Sequence, residues 1–175
     1  MQQKNERSLL PRSLRLLKEA DSVRQAAVNE LSFTYTRLLR LLPAIMRRMV
    51  ADPLHDVLGQ QHEQDGLISG GLTLMTTAHG VRPSLCACEE ADGLLETMYH
   101  DERAATDDAS RAMAVVDALK GVRTYLIRTW GRLIDTLSPE NQVDFLREAS
   151  ALQGQEADLF SQLVAMRREL DKDKE

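Results

Sequence analysis

The chain has 175 residues, of which 43% are hydrophobic, 28% charged and only 4% aromatic, with a formal net charge of -5 and a pI near 5.4. This length fits one domain with a substantial core, and a composition rich in Leu, Ala, Arg, Glu and Gln is typical of an all-α protein. The negative charge argues against a nucleic-acid partner, because affinity for a phosphate backbone comes mainly from clustered Lys and Arg.

The cysteine count and the hydropathy argue against a disulfide-stabilised fold and against a membrane-spanning protein. The two cysteines, Cys86 and Cys88, are one residue apart and cannot form a disulfide framework. No apolar stretch approaches the roughly 20 residues needed to cross a bilayer, and no signal peptide begins the sequence. We therefore expect a cytoplasmic protein that has no membrane partner.

The first twenty residues, MQQKNERSLLPRSLRLLKEA, carry five basic and two acidic side chains around several leucines. Residues 1–20 are predicted to be an N-terminal arm or short helix that packs on its own domain or on a second subunit, or is disordered. A membrane-surface helix would need a longer apolar face without acidic interruptions. Residues 21–170 then form one domain, and the charged tail DKDKE, residues 171–175, is expected to fray.

Helical periodicity after Asp21 predicts a first long helix over about residues 22–50. Pro43 lies within it and removes a backbone hydrogen bond, so a kink is expected there. The inward positions recur in steps of three and four: Val23, Ala27, Leu31, Tyr35, Leu38, Leu42, Ile45 and Met49.

The second helix has clear signals at both ends. Asp52 is a typical N-cap, Pro53 fits the first helical position and Gly80 is a typical C-terminal stop, which predicts a helix over about residues 53–79. Two polar residues interrupt its inward face, which is formed by Leu54, Leu58, Gln61, Asp65, Ile68, Leu72 and Met75.

Three more helices are predicted after Gly80: a short one over about 88–99, a long one over 108–137, and a last one that Ser138, Pro139 and Glu140 cap and that runs to about Leu170. The inward face of the 108–137 helix is Val115, Leu119, Val122, Leu126, Thr129, Leu133 and Leu137. That of the last helix is Phe145, Ala149, Leu152, Glu156, Leu159, Leu163 and Met166.

The lengths of the connections favour one topology. Tight joints between the first two and the last two long helices, with about 25 residues between the pairs, indicate two antiparallel hairpins joined by a crossover. This predicts a ferritin-like four-helix bundle whose crossover carries the short helix. An up-down-up-down bundle with a long loop is the alternative, but it gives the crossover no purpose.

Four runs, in order and spacing, resemble the YciE/YciF-type ferritin-like family: LLRLLPAIM (38–46), PLHDVLGQQHEQD (53–65), GVRPSLCACEEADGLLE (80–96) and VRTYLIRTWG (122–131). The resemblance covers about residues 31–163. Its most specific element is the crossover, where the matching residues are Gly80, Pro83, Cys88, Asp92, Gly93 and Leu94. It implies a bacterial stress-associated bundle, a homodimer, and in many members a di-iron site.

The resemblance also implies where the iron ligands would lie. Such a site takes a Glu from two helices and Glu-x-x-His pairs, or a close variant, from the others. In this chain the ligand positions fall on Tyr35, His62, the pair Gln64 and Asp65, Ser69, Arg123, Leu126 and the stretch from Gln153 to Glu156. Only Asp65 and Glu156 remain as inward carboxylates, which is too few for two irons.

Two functions remain from this comparison. The first is a non-catalytic, stress-related bundle that has largely lost the di-iron site and acts through a protein partner or a paralogue. For this function we expect no cofactor. The second is a metal-binding ferritin-like oxidase or iron-handling protein with an unorthodox mono- or di-metal site. Its metal ligands would be Asp65, Glu156 and His62, with Gln61 and Tyr35 as further candidates.

The cysteines and the remaining charged residues allow weaker interpretations. Cys86 and Cys88 with His79, His100 and Glu89 supply ligand types for zinc, but C-x-C without a second pair is a weak signal. The thiols could also sense oxidants, although Glu89, Glu90 and Asp92 oppose thiolate formation, so a structural role is favoured. Arg123 and Arg128 are predicted to pair with acidic residues of a neighbouring helix, and Trp130 to lie in the core or an interface.

Overall fold

The computed structural model describes residues 12–49, 53–84 and 86–172. Five helices and no strand occur in these ranges, so the predicted all-helical class is confirmed. The helices are α1 (Arg12–Met46), α2 (Pro53–Ala78), α3 (Glu89–Ala104), α4 (Asp108–Asp135) and α5 (Val143–Lys172).

The end of α2 confirms the glycine stop. Gly80 has a φ of +72°, the left-handed conformation that favours glycine. The N–H of Val81 donates to the carbonyl of Thr76 at 2.8 Å, and the N–H of Gly80 donates to that of Thr77 at 3.2 Å. These two bonds form a Schellman motif, which satisfies the last carbonyls of α2 and turns the chain into the crossover.

The N-terminal arm differs from its prediction. The helix predicted from residue 22 already begins at Arg12, because residues 12–20 contain good helix formers and no Gly or Pro. Leu16 and Leu17 are 57% and 61% exposed, so they do not pack on the chain's own core. Residues 1–11, with Leu9 and Leu10, lie outside the described residues.

The last helix also differs at both ends. It begins at Val143 rather than at Pro139, because Ser138 and Gln142 close a separate turn. In that turn the Gln142 N–H donates to the Ser138 carbonyl at 2.9 Å, and the Gln142 side chain accepts from the Ser138 N–H at 3.1 Å. At the other end α5 continues to Lys172, so the expected fraying does not begin at residue 171.

Helices α1 and α4 lie side by side and run in opposite directions. Arg24 of α1 donates from Nη2 to the carbonyl of Thr136 at 3.0 Å, and eleven residues later Tyr35 accepts from Nε1 of Trp130 at 3.0 Å. Residue numbers that increase along α1 therefore contact residue numbers that decrease along α4, as in antiparallel helices.

Helices α2 and α5 form a second antiparallel contact. Gln61 donates to the carbonyl of Leu159 at 3.1 Å, whereas the ring of His79 stacks on Phe145 with centroids 4.4 Å apart. Short joints also make α1 and α2 antiparallel, and likewise α4 and α5. Consequently α2 and α4 run in the same direction.

Helix α3 connects these two parallel helices along the outside of the bundle. It packs on α1 and α4, and its ends are held by ion pairs: Arg37 binds Asp92 at 2.7 Å near the start, and Arg48 binds Glu102 at 2.6 Å near the end. The crossover predicted to carry a short helix therefore does so, but the helix continues to Ala104, beyond the predicted end at about residue 99.

The predicted inward faces of α2 and α4 are buried at every position. On α1 the prediction is wrong for Val23, which is 44% exposed and lies beyond the end of the packed region, and on α5 Leu152 is only half-buried. None of the described helices is both long and apolar enough to span a bilayer.

Candidate functional site

The centre of the bundle contains a cluster of charged side chains that are wholly buried. Asp65 of α2 and Glu156 of α5 face each other across the interior, and Arg123 of α4 lies between them. The Arg123 guanidinium binds Asp65 through two parallel bonds, Nη1 to Oδ1 at 2.5 Å and Nη2 to Oδ2 at 3.0 Å, and its Nη1 reaches Oε1 of Glu156 at 3.1 Å. This fork fits the planar geometry that guanidinium offers to carboxylates.

Three neutral groups complete the hydrogen bonding. Nε of Arg123 donates to Oε1 of Gln61 at 3.0 Å, and the Tyr35 hydroxyl donates to Oε2 of Glu156 at 2.7 Å. Nε1 of Trp130 in turn donates to the Tyr35 oxygen at 3.0 Å. We call these residues the central cluster: Tyr35, Gln61, Asp65, Arg123, Trp130 and Glu156. All four carboxylate oxygens in it accept a hydrogen bond, as buried charges require.

Burial and the mutual charges shift the pKa values of the cluster. Burial raises the pKa of Asp65 and of Glu156 above their ordinary values, and this effect exceeds the opposing attraction of Arg123. Burial alone would lower the pKa of Arg123, but Glu156 and Asp65 together raise it further, so the guanidinium stays charged. Burial and then the Glu156 charge raise the pKa of Tyr35 well above its ordinary value. With two carboxylates to one guanidinium, the fully ionised cluster carries one excess negative charge.

His62 lies outside the cluster, although it had been grouped with Asp65 and Glu156. Its Nε2 is 3.2 Å from the carbonyl oxygen of Leu39, and it lines a surface cavity between α1 and α2 together with His55 and Pro43. Helix periodicity places His62 only about 60° around α2 from Asp65, at the border of the inward face. Its contact with the Leu39 carbonyl shows that the side chain turns toward α1 instead of the centre.

The donor set does not fit a di-iron centre. Each carboxylate oxygen of Asp65 and Glu156 is already engaged by Arg123 or Tyr35, and a guanidinium neither loses its proton in proteins nor ligates a metal. Leu126, at another ligand position of the resemblance, is buried in the core. Within the described residues no three His, Cys, Asp or Glu side chains are grouped so that they could hold a metal ion.

The residues named for a zinc site are scattered. The His79 ring stacks on Phe145, His100 borders a groove between α1 and α3, and the Cys88 sulfur lies 3.0 Å from the Tyr125 hydroxyl. The structure therefore corrects that alternative: sequence proximity along the crossover did not bring the side chains together, because α3 and the end of α2 face different neighbours.

No family model matches the sequence, and no curated protein matches it. Among solved structures the chain is similar to YcfI from Rhodopseudomonas palustris, described as "a putative structural protein". The TM-score is 0.72 at 18% sequence identity, and the match covers 91% of this chain and 97% of YcfI. At this identity the likeness shows the shared helical fold alone.

Arg123 is the part of the cluster that sequence reasoning only partly anticipated. Pairing with an acidic residue of a neighbouring helix was predicted for both Arg123 and Arg128, and both predictions are confirmed: Arg128 binds Glu90 on α3. That Arg123 is wholly buried between two carboxylates was not foreseen. A signal existed, since Asp65 and Glu156 occupy inward positions and buried carboxylates need a counter-charge.

Proposed function

We propose that this chain is a non-catalytic, ferritin-like bundle protein of the YciE/YciF type in which an internal ion-pair cluster stands where relatives hold iron. It acts through protein interaction in a stress response. The fold-level support is the pair of antiparallel hairpins with a helix-bearing crossover. The stress association rests on the resemblance of the crossover run GVRPSLCACEEADGLLE.

The observation that carries the proposal is the position of the Arg123 guanidinium. It is a permanent cation, it is wholly buried, and it binds both Asp65 and Glu156, the only inward carboxylates among the ligand positions. A metal ion would have to displace it into an apolar interior at a high desolvation cost. The cluster therefore supplies the positive charge internally and leaves no open ligand position for substrate or oxygen. The description of YcfI as "a putative structural protein" agrees with a non-catalytic role.

The decisive experiment is metal reconstitution. The protein would be incubated anaerobically with ferrous iron, desalted and subjected to elemental analysis, and then exposed to oxygen while absorbance is recorded. We expect substoichiometric metal and no oxygen-dependent absorbance in the wild type, in Asp65→Asn, and in the control Asp158→Asn, whose carboxylate is exposed on α5. Stoichiometric iron that is retained in Asp158→Asn and lost in Asp65→Asn would overturn the proposal in favour of the metal-binding alternative. Circular dichroism verifies that each variant is folded.

The interaction partner that we propose first is a second copy of the chain. Leu67 and Leu74, two helical turns apart on α2, are 61% and 75% exposed on the same face. The sequence from Gly66 to Ala78 contains no charged residue, so two copies of this face meet without like-charge repulsion.

Sedimentation velocity over a range of protein concentrations tests the dimer. We expect a dimer for the wild type and for Val143→Glu, whose side chain is 55% exposed at the start of α5, and a monomer for Leu74→Glu. A wild type that stays monomeric at every concentration would contradict the self-association, as would an unchanged dimer in Leu74→Glu.

A further inference from the structure

The two cysteines of the crossover have different environments. Cys86 is exposed, and its sulfur lies 3.2 Å from the Ser84 hydroxyl. Cys88 is half-buried and occupies the N-cap position of α3, yet its thiol does not cap that helix. Instead its sulfur lies 3.0 Å from the hydroxyl oxygen of Tyr125 on α4. One thiol is thus open to solvent, and the other is held against a polar group of the bundle.

The hydrogen bonds around Cys88 have a defined direction. Tyr125 has a single hydroxyl proton, and it donates this proton to Oε2 of Glu30 at 2.7 Å. The Tyr125 oxygen can then only accept from Cys88, so the thiol is the donor. A chain runs from the Cys88 S–H through the Tyr125 O–H to the Glu30 carboxylate, which Arg132 also binds. We call these four residues the crossover cluster.

Burial and the hydrogen bonds to Cys88 and Glu30 raise the pKa of Tyr125 above its ordinary value, so its hydroxyl stays protonated. A protonated hydroxyl with one donor and one acceptor contact is suited to pass a proton from one side to the other. When the thiol proton moves to Tyr125 and the Tyr125 proton moves to Glu30, the sulfur becomes a thiolate that accepts a hydrogen bond from the hydroxyl.

Arginines pair with two of the three carboxylates that follow Cys88, namely Glu90 and Asp92. Arg128 of α4 binds Glu90, and its guanidinium also lies over the Tyr125 ring, 5.4 Å from the centroid. Asp92 is bound by Arg37 of α1. Two of the three carboxylates that follow Cys88 are thus matched by cations from two other helices, which weakens the main sequence argument against reactivity.

We propose that Cys88 is a peroxide-reactive thiol and that Cys86 is its resolving partner. The Cys88 thiolate attacks one oxygen of hydrogen peroxide, the O–O bond breaks, and the departing hydroxide takes back, through Tyr125, the proton that the relay had moved to Glu30, which gives a sulfenic acid and water. The Cys86 thiol then attacks the Cys88 sulfur, an S–S bond forms, and the sulfenic hydroxyl leaves with the Cys86 proton as a second water. In sum, two thiols are oxidised by two electrons and one peroxide is reduced to two waters.

The chain allows the S–S bond to form locally. Extended backbone spans at most about 3.3–3.6 Å per residue, so the Cα atoms of Cys86 and Cys88 are no more than about 7 Å apart, and a slight bend of the segment brings them within the roughly 4.4–6.8 Å found for disulfides. Residues 86–88 have no helical structure, and they precede α3. Bond formation therefore withdraws the Cys88 sulfur from Tyr125 without breaking a helix, and it removes one of the contacts that hold the start of α3 to α4.

The first experiment identifies the reacting thiol. The reduced full-length protein would be exposed to hydrogen peroxide with dimedone present, and the products located by mass spectrometry of peptides. We expect an intramolecular disulfide, with the mass of two hydrogens lost, in the wild type. Cys86→Ser should collect a dimedone adduct on Cys88, and Cys88→Ser should collect at least about tenfold less on Cys86 over the same time. Equal labelling of the two variants, or disulfides only between chains, would overturn the assignment.

The second experiment tests Tyr125 as a positioning residue. Tyr125→Phe removes the acceptor of the thiol proton, and Tyr99→Phe is a matched control, because the Tyr99 hydroxyl is bound by Arg103 on the exposed side of α3. At pH 7 we expect sulfenic acid formation about tenfold slower in Tyr125→Phe, the equivalent of one hydrogen bond, and unchanged in Tyr99→Phe. The deficit should vanish at high pH, where hydroxide takes the thiol proton in place of the relay. Equal rates at pH 7, or a deficit that does not depend on pH, would overturn the relay. Neither outcome depends on the metal content of the protein.

Discussion

The central cluster and the crossover cluster contain the same arrangement at two depths. In each, a tyrosine hydroxyl donates to a glutamate oxygen at 2.7 Å and an arginine binds the same glutamate. These residues are Tyr35, Glu156 and Arg123 in the central cluster, and Tyr125, Glu30 and Arg132 in the crossover cluster. Helices α1 and α4 contribute to both arrangements, but the glutamate lies on α5 in the central cluster and on α1 in the crossover cluster.

Exposure to water distinguishes the central cluster from the crossover cluster. The side chains of Arg123 and Glu156 are both 0% exposed, whereas those of Arg132 and Glu30 are 42% and 22% exposed. In the interior a group that loses its partner cannot turn to water, so every member of the central cluster is indispensable to the others. At the surface water replaces a lost partner, and the groups remain free to rearrange. The comparison predicts a rigid, structural centre and a crossover that can undergo chemistry.

The largest loss of unfolding free energy is expected for Arg123→Met. The substitution leaves Asp65 and Glu156 buried without a counter-charge and should lower the free energy of unfolding at pH 7 by about 3–5 kcal/mol. Urea denaturation followed by circular dichroism measures it. A loss below about 1 kcal/mol would mean that water reaches the centre and that the contrast between the clusters does not hold.

A smaller loss of unfolding free energy is expected for Tyr35→Phe. It removes the acceptor of the Trp130 N–H and one donor to Glu156, all of them buried, and should cost about 1–3 kcal/mol. The matched variant Tyr125→Phe, in the crossover cluster, should cost about 0.5–1 kcal/mol. The comparison would fail if the second loss equalled or exceeded the first in the same denaturation assay.

The pH dependence of stability tests the charge state of Glu156. Its folded-state pKa lies above the ordinary 4.5, since burial raises it most. Between these two values the folded protein keeps a proton that the unfolded chain has lost, so this group makes stability fall as pH rises, by up to about 1.4 kcal/mol per pH unit. The difference in unfolding free energy between the wild type and Glu156→Gln should therefore shift against the wild type as pH increases above 4.5, and level off above the raised pKa. A shift in the opposite direction would show that the attraction of Arg123 lowers the pKa of Glu156 by more than burial raises it.

The smallest effect is expected for Arg132→Met. The pair with Glu30 is partly exposed, so its loss should change the unfolding free energy by less than about 1 kcal/mol. This variant is the matched control for Arg123→Met, because the same substitution is made on the same helix. A loss similar to that of Arg123→Met would indicate that the crossover cluster is as rigid as the centre, which would also count against its proposed redox chemistry.

Local signals in the sequence placed most helix ends correctly. Pro53 and Gly80 bound α2 because a proline start and a left-handed glycine stop act within a few residues. The errors came where such signals were weak: nothing stops α1 between Arg12 and Asp21, and Ser138 caps a turn instead of a helix. The site was predicted in part. Asp65 and Glu156 were placed inward by periodicity, but His62 was wrongly grouped with them.

The sequence by itself determined the all-helical class and the inward faces of α2 and α4, because the 3.6-residue period depends only on the order of apolar and polar residues along one helix. Only the tertiary structure decided which polar groups meet. Arg123 reaches carboxylates 58 and 33 residues away, and Cys88 meets a hydroxyl 37 residues away. Such contacts depend on the axial register of packed helices, which periodicity does not specify. The same register makes the centre a closed ion-pair cluster and brings the Cys88 thiol to Tyr125.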